Sequence, residues 1–178
     1  MKLLAVALAA TLTACASAGP YGHARVYAPL SEEEAAAQGS VEYDPIMAKR
    51  SPERWKGKTV SLFGVVVGRN AGASGAAEVK LSVRTLEPRN LCDSSSDDSC
   101  RVTVGDHEHA IVHAKLRLTA EDDLGEHSVG SGSLIRVVGS LEDEVHVTDG
   151  EPVIQARYYR HWPRGFYVTT ADRAVMRR

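Results

Sequence analysis

A run of histidines and acidic residues in the middle of the chain holds the sequence's richest set of metal-ligand side chains. Asp106-His107-Glu108-His109 is followed by His113. Alternate side chains of an extended strand point to the same side, so His107, His109 and His113 share one face. Imidazoles at this spacing predict a half-site for zinc or copper, which His146 joins only if its strand lies alongside. The alternative interpretation is a polar loop that enters a strand whose outer face is solvated.

The sequence lacks the motifs that organise common catalytic sites. Ser131-Gly132-Ser133 has no flanking pattern of a nucleophile elbow, and the sequence contains no His-Glu-x-x-His. We therefore expect a protein without enzymatic activity, and we assign it no catalytic residue and no cofactor.

Two of the three cysteines, Cys92 and Cys100, flank a loop rich in serine and aspartate. In an oxidising compartment such a pair favours a disulfide over two free thiols, and closing so short a loop contributes about 2–3 kcal/mol. Asp93, Asp97 and Asp98 offer oxygen ligands for calcium, but the loop lacks the turn glycine and terminal glutamate of an EF-hand. We expect a disulfide that pins a hairpin insertion.

The C-terminal part of the chain interleaves aromatic and basic side chains. Residues 157–168 contain half of all the Trp, Tyr and Phe residues in the sequence. Aromatic faces beside arginines are typical of sites that stack nucleic-acid bases or sugar rings. The alternative is that the aromatic rings fill the core and the arginines are solvated or paired with acids. The candidate ligand-binding residues are Tyr158, Tyr159, Arg160, Trp162, Arg164 and Phe166.

The N-terminal residues have the organisation of an export signal. Lys2 precedes an apolar stretch that is too short to span a bilayer as a helix, and Leu12-Thr13-Ala14-Cys15 follows it. This run resembles the lipobox of bacterial lipoprotein precursors. The resemblance implies cleavage before Cys15, lipid on its sulfur and acylation of the new N-terminus. An ordinary secretory signal, cut after about Ala18, is the alternative.

Export constrains the partners of the mature protein. Of the 21 Lys and Arg residues only Lys2 is removed, which leaves 20 against 23 Asp and Glu, a net charge of about −3. The absence of a strong positive field argues against a general nucleic-acid binder. By analogy with lipoprotein sorting, Ala16 after the lipobox implies the outer membrane. We expect a cell-envelope location facing the periplasm, with membrane lipid as one partner and an envelope protein or glycan as another.

Composition divides the chain into four parts. Residues 1–14 form the predicted signal peptide, and residues 15–40 predict a lipidated N-terminus and a flexible tether, in which Ser31 and Glu34 fit a capping box. Residues 41–168 predict the folded domain, with a short helix capped by Asp44 and a Trp55 that packs the entry onto it. Residues 169–178 predict a basic tail.

The folded domain has the pattern of a β-barrel. Apolar alternation groups into five strand regions, with a short helix at 119–125 before the fourth region and a hairpin signal at Asp149-Gly150. Gly64 inside the first strand suits the sharp bend of a small barrel. We predict an all-β fold, an OB-like five-stranded barrel, with a β-sandwich as the competing fold. The five regions cover 59–69, 79–85, 101–104 together with 110–118, 133–141, and 144–148 together with 152–160.

Two segments carry a resemblance to a known family. Pro52-x-x-Trp55-x-Gly57-Lys58-x-Val60 followed by Phe63-Gly64-x-Val66 resembles the opening of envelope OB-fold proteins. With the later Gly132-Ser-Leu-Ile-Arg-Val-Val-Gly139, the layout of residues 52–162 is similar to the Slp family of starvation-inducible outer-membrane lipoproteins. The cysteine loop and the Arg-Met-Arg-Arg end depart from that pattern. The family implies an envelope location and supplies no catalytic residues.

These observations together predict a membrane-anchored envelope lipoprotein with a non-catalytic binding or structural-interaction role. One alternative is a periplasmic metal-binding domain that uses His107, His109 and His113. The other is an oligosaccharide or nucleic-acid binder that uses the aromatic and basic C-terminal segment.

Overall fold

The computed structural model describes Tyr27, residues 29–90 and residues 101–173. The predicted signal peptide, the lipidation site Cys15, and the cysteines Cys92 and Cys100 lie outside the described residues. The strands are β1 Val41–Glu42, β2 Thr59–Ala71, β3 Ala76–Arg84, β4 Leu86–Asn90, β5 Arg101–Val104, β6 Ala110–Arg117, β7 Leu134–Val145, β8 Pro152–Trp162 and β9 Tyr167–Thr169. The α-helices are α1 Ser31–Ala37, α2 Pro45–Arg50, α3 Ala120–Leu124 and α4 Thr170–Arg173.

Five of these strands form a closed barrel in the order β2-β3-β6-β8-β7, with β7 returning to pair with β2. β6 and β8 run parallel, and the other pairs in the ring are antiparallel. The one-turn helix α3 connects the third barrel strand to the fourth. This is the topology of an OB barrel. The predicted OB-like fold is confirmed, and the alternative of a sandwich is wrong.

The barrel interior is filled by the alternating apolar residues that the sequence pattern indicated. Trp55 and Tyr43 close one end, with their rings edge to face at 5.7 Å between centroids. Trp55 is buried in the same cluster as the strand residues, so its predicted packing role is confirmed. The fully buried residues of this core include Val60, Val79, Leu81, Val112, Ala114, Ile135, Val137 and Ile154.

The entry to the barrel is a capped helix followed by a turn. The Asp44 side chain accepts a hydrogen bond from the Met47 amide at 2.9 Å, and Pro45 opens α2. Both features agree with the residue preferences of a helix N-terminus that the sequence indicated.

Within the described ranges, no helix is both long and apolar enough to cross a membrane.

Gly64 lies where the sheet closes on itself. It pairs with Val83 of β3 on one side and with Ile135 of β7 on the other. A Cβ atom at this position would lie 2.9 Å from the Cβ of Leu81. The glycine is therefore needed because a neighbouring side chain approaches its backbone closely, in addition to the bend that the sequence suggested.

A second, smaller core lies outside the barrel. β4, β5 and β9 form a three-stranded sheet, whose Val102 and Val104 pack against the outward-facing Phe63, Leu134 and Trp162. β4 and β5 pair antiparallel on either side of residues 91–100, so the predicted hairpin insertion is present in the strands that flank it.

The predicted boundary of the C-terminal tail is wrong. Thr169 belongs to β9, and α4 follows it directly. Asp106 accepts hydrogen bonds from the Thr170 hydroxyl at 2.5 Å and from the Ala171 amide at 2.8 Å. These bonds hold the described part of the segment, residues 169–173, against the loop that follows β5.

The flexible tether predicted for residues 15–40 is also wrong at its C-terminal end. α1 packs on the outer face of β8, and its Glu33 is fully buried. The helix begins at Ser31, so the predicted capping box of Ser31 and Glu34 is replaced by Glu33, which accepts a hydrogen bond from the Leu30 amide at 3.0 Å. Any free tether therefore ends before this docked helix.

The carboxylate of Glu33 holds α1 to the barrel through charged partners. Its oxygens lie 2.6 Å from Arg136 Nη1 and 3.2 Å from Arg160 Nη1, and the Tyr27 hydroxyl donates to it. Burial disfavours the ionised form, but the hydrogen bonds from Tyr27 and Arg136 outweigh it and hold the pKa of Glu33 below its ordinary value. The group is therefore a carboxylate at neutral pH.

We expect Gly64→Ala to lower the free energy of unfolding by about 1–3 kcal/mol, because the added methyl group would force β2 away from Leu81. Gly68→Ala on the same strand is the matched control, since its nearest side-chain atom would lie 3.7 Å away, and its effect should stay within about 0.5 kcal/mol. Urea denaturation of both variants measures the difference. Equal stabilities would contradict the close approach at Gly64.

We expect Glu33→Gln to weaken the docking of α1 by about 3–5 kcal/mol, because it leaves two largely buried guanidinium groups without their counter-charge. Hydrogen exchange at the α1 amides measures this effect, and Glu34→Gln, on an exposed position of the same helix, is the control.

The effect of Glu33→Gln should also depend on pH. Because the folded protein lowers the pKa of Glu33, its stabilisation is complete above the ordinary pKa of about 4.3 and is lost as the pH falls through the lower folded value. The wild type and the Gln variant should therefore converge in acid. A difference that persists unchanged below that range would contradict the role of the charge.

Candidate functional site

The outer face of β3 and β6 carries a cluster of ligand-type side chains. Glu78 of β3 and His113 of β6 point outward, because their neighbours Val79 and Ala114 fill the barrel. In the register of the two strands, His113 lies directly opposite Lys80. OB barrels use this face, together with the loop between their fourth and fifth strands, to bind ligands.

The turn between β7 and β8 brings two more residues onto this face. The Gly150 amide donates to the carbonyl oxygen of His146, and the His146 amide donates to that of Glu151, each at 2.8 Å. Gly150 has a φ of +73°, which suits the turn at the predicted Asp149-Gly150 signal. The turn therefore places the side chains of His146 and Asp149 beside His113.

The two imidazoles stack between the two carboxylates. The rings of His113 and His146 are 3.7 Å apart at their centroids and 11° from parallel. Glu78 Oε1 lies 3.4 Å from His113 Nδ1 and 3.1 Å from His146 Nε2. On the opposite edge, the Asp149 oxygens lie 3.0 Å from His113 Nε2 and 3.0 Å from His146 Nδ1. Each ring thus bridges both acids.

The charge of Asp149 is stabilised by its surroundings. Lys80 Nζ donates to it at 2.8 Å, and hydrogen bonds from Lys80 and then His113 hold the pKa of the carboxyl well below its ordinary value. Asp149 is therefore an ionised hydrogen-bond acceptor at neutral pH, and both histidines can donate a hydrogen bond to it.

In their neutral forms, two imidazoles that donate to Asp149 each direct a nitrogen lone pair towards Glu78. A neutral imidazole has a single N–H, and donating it to Asp149 leaves the other nitrogen as an acceptor. His113 Nδ1 is buried and forms no hydrogen bond with any described residue, since its 3.4 Å contact with Glu78 is an ion-pair distance without hydrogen-bond geometry. Electron-pair donors therefore converge at the Glu78 edge of the stack.

The structure places the predicted histidines in two separate groups. His107 and His109 lie before β6, exposed, with their rings edge to face at 4.9 Å. Among the described residues, the one group of three His, Cys, Asp or Glu side chains whose ligand atoms all lie within 4.8 Å of one another is Glu78, His113 and His146. Of the predicted His107, His109 and His113, only His113 belongs to this group. Glu78 and the conditional candidate His146 complete it.

The aromatic and basic segment is largely covered. Tyr158, Arg160 and Trp162 face outward on β8, under α1 and the small sheet, and Trp162 is only 4% exposed. Arg160 is paired with Glu33 and lies 4.7 Å from the centre of the Trp162 ring. Tyr159 faces inward and packs against the barrel core. Trp162 belongs to the second core and Tyr159 packs on the barrel core, so these rings do not form an open stacking surface.

The remaining two candidate residues of this segment are exposed. Phe166 is 43% exposed and lies 5.3 Å from the ring of His127. Arg164 packs its aliphatic part near Gly132. Within the described segment, one exposed ring beside one arginine is far less than the stacking platform that the sequence suggested.

A Ser-His-Asp hydrogen-bond chain also occurs in the fold. His161 Nε2 lies 3.1 Å from Ser133 Oγ, and His161 Nδ1 lies 2.7 Å from Asp122 Oδ1. Ser133 is 3% exposed, and neither of the two clefts described, of about 650 and 710 Å³, is lined by any of the three residues. The amides of Gly132 and Ser133 already donate to carbonyl groups, so they offer no oxyanion hole.

The Ser-His-Asp chain instead fastens α3 to β8. Asp122 also accepts a hydrogen bond from the Tyr159 hydroxyl at 2.6 Å. Burial opposes its ionisation, but the hydrogen bonds from Tyr159 and His161 outweigh it and keep the pKa of Asp122 below its ordinary value. The chain therefore has a structural explanation: it satisfies a half-buried carboxylate.

Comparison with known proteins adds little to this geometry. No family model and no curated protein sequence matches the chain. Among solved structures, the chain is similar to a small single-stranded DNA-binding protein from Streptomyces coelicolor, with 18% sequence identity and a TM-score of 0.33. The match covers 60% of this chain and 95% of that chain. The assignment of the barrel rests on its own strand order and register.

Proposed function

We propose that this protein is a lipid-anchored, non-catalytic binding domain of the bacterial cell envelope. The observation that carries the proposal is the cluster of Glu78, His113, His146 and Asp149 on the outer face of β3 and β6. Polar groups from two strands and one turn converge there, on the face where OB barrels take their ligands. The lipobox at Cys15 supports the anchor.

The docked helix α1 limits how far the domain can stand from the membrane. Because Tyr27 and Glu33 already bind the barrel, only the chain between Cys15 and Tyr27 remains as a spacer. Its fully extended length is at most about 40 Å. The binding face on β3 and β6 is thus kept close to the lipid surface, while α1 covers the neighbouring strand β8.

The chemistry of the binding face favours a polar ligand over nucleic acid. Apart from Ile111, its outward residues on β3 and β6 are charged, small or imidazole groups, including Lys80, Ser82 and Lys115. Phe, Tyr and Trp side chains, on which bases stack, are not among the outward residues of these two described strands. A weakly acidic protein also lacks the field that concentrates polyanions.

We expect Cys15→Ser to release the protein from membranes, because the sulfur that carries the lipid is removed. Labelled palmitate should mark the wild type but not this variant, and fractionation should move the variant to the soluble fraction. Cys92→Ser is the matched control, since it also removes a thiol and should keep both label and location. A Cys15→Ser protein that stays in the membrane fraction would exclude the anchor.

We also propose that Cys92 and Cys100 form a disulfide. The lipidated protein, purified in detergent and denatured without reductant, should titrate no free thiol, because Cys15 is blocked by lipid. Cys92→Ser should then expose one thiol, at Cys100, and lose about 2–3 kcal/mol of stability. Two reactive thiols in the wild type would show that the bridge is absent.

A further inference from the structure

We propose that Glu78, His113 and His146 bind a divalent transition-metal ion, with zinc as the reference ion and Asp149 as the acceptor that orients both imidazoles. The inference rests on the proposed function, because it names the ligand of the same binding face. The set keeps His113 and the conditional member His146 of the histidines that the sequence suggested, and it has Glu78 in place of His107 and His109.

The distances between the donor atoms suit one ion. Zinc bonds to imidazole nitrogen and carboxylate oxygen are 2.0–2.2 Å long, so neighbouring ligand atoms around a tetrahedral ion are about 3.3 Å apart. Glu78 Oε1 lies 3.4 Å from His113 Nδ1 and 3.1 Å from His146 Nε2. All three atoms lie within 4.8 Å of one another. The protein fold alone thus holds the donors near coordination spacing.

The buried nitrogen of His113 supplies an independent reason for a cation. The His113 side chain is only 5% exposed, and its Nδ1 has no hydrogen-bond partner among the described residues. Leaving a buried polar atom unsatisfied is costly. Here the unsatisfied atom faces a carboxylate oxygen, so two acceptors oppose each other. An ion between them satisfies both.

Asp149 has the position of an outer partner in a metal site. Histidine ligands of metals almost always donate their other ring N–H to a carboxylate, a carbonyl or water. Asp149 accepts on this second edge from His113 and His146, each at 3.0 Å. Lys80, 2.8 Å from the same carboxylate, holds it in place and balances its charge. Asp149 is a positioning residue and does not contact the ion.

The ligand set restricts the class of ion. Two imidazoles and one carboxylate suit zinc, copper(II) and nickel(II), whereas calcium and magnesium require a shell of oxygen ligands. Three protein ligands leave a fourth position for water, as in a site that exchanges its ion.

Binding requires a small movement of one ring. The rings are 11° from parallel, and parallel imidazoles direct their lone pairs along parallel lines instead of towards one point. His113 is fixed within β6, whereas His146 follows the end of β7 and its side chain is 16% exposed. Rotation of His146 therefore brings the two lone pairs together on the Glu78 side.

Calorimetric titration with Zn²⁺ alone tests the proposal. The wild-type lipoprotein, purified in detergent near neutral pH with a tag that contains no histidine, should bind one ion per chain. His146→Ala should weaken binding by about 100-fold or more, because loss of an outer partner already costs about 10–100-fold. Asp149→Asn should fall in that lower range. A cooperative thermal transition, measured alongside, shows that this variant is folded.

The double variant His107→Ala, His109→Ala is the matched control. It removes two exposed imidazoles that lie outside the group, and it should bind Zn²⁺ with unchanged affinity. Glu78→Gln keeps the size of the side chain and should lose affinity by at least about 10-fold. Imidazole NMR signals should shift for His113 and His146 and stay in place for His107 and His109.

Two results would overturn the metal site. One is a wild type that binds no stoichiometric Zn²⁺. The other is binding that survives His146→Ala but disappears in the control variant. The anchor is tested separately, because Cys15→Ser should leave Zn²⁺ affinity unchanged. A Cys15→Ser protein that leaves the membrane and still binds Zn²⁺ would agree with both proposals. A wild type that is anchored in the membrane but binds no Zn²⁺ would overturn the metal site and leave the anchor unaffected.

Discussion

The pairing of β2 with two neighbours at once is the constraint on which the rest of the structure depends. Residues 63–65 hydrogen-bond to both β3 and β7, and this double pairing turns an open sheet into a barrel. A barrel has an inside and an outside, so every strand divides its residues between a core and a surface. Gly64 makes the closure possible because Leu81 lies against its backbone. The outward positions of β3 and β6, including Glu78 and His113, follow from that closure.

Two faces of the barrel differ in the side chains that they carry. On the β7–β8 side, Glu33 ties α1 to Arg136 and Arg160, and Trp162 joins the small sheet in a second core. The aromatic and basic side chains on that side are therefore buried or paired within the fold. On the β3–β6 side the two carboxylates of the cluster reach solvent, with the side chains of Glu78 and Asp149 24% and 25% exposed.

The sequence predicted those parts of the fold that depend on local pattern. Alternation located the five barrel strands, the Asp149-Gly150 pair located the hairpin, and Trp55 was recognised as the residue that packs the entry, whereas β4 and β9 were not predicted. The buried position of Glu33 could not be predicted, because the segment around it is polar. Its partners lie on strands more than a hundred residues further along the chain. The full composition of the site could not be predicted from the sequence for the same reason. His113 lies on β6 and His146 on the turn after β7, and only the pairing of β8 with both strands brings the two rings together.

Zinc binding by the cluster on the β3–β6 face is tested most directly by a crystal soaked in zinc. Anomalous scattering at the zinc absorption edge should give a peak between Glu78, His113 and His146, within about 2.0–2.2 Å of Glu78 Oε1, His113 Nδ1 and His146 Nε2. A map without a peak at that position, or with its strongest peak at His107 and His109, would contradict the assignment of the binding face.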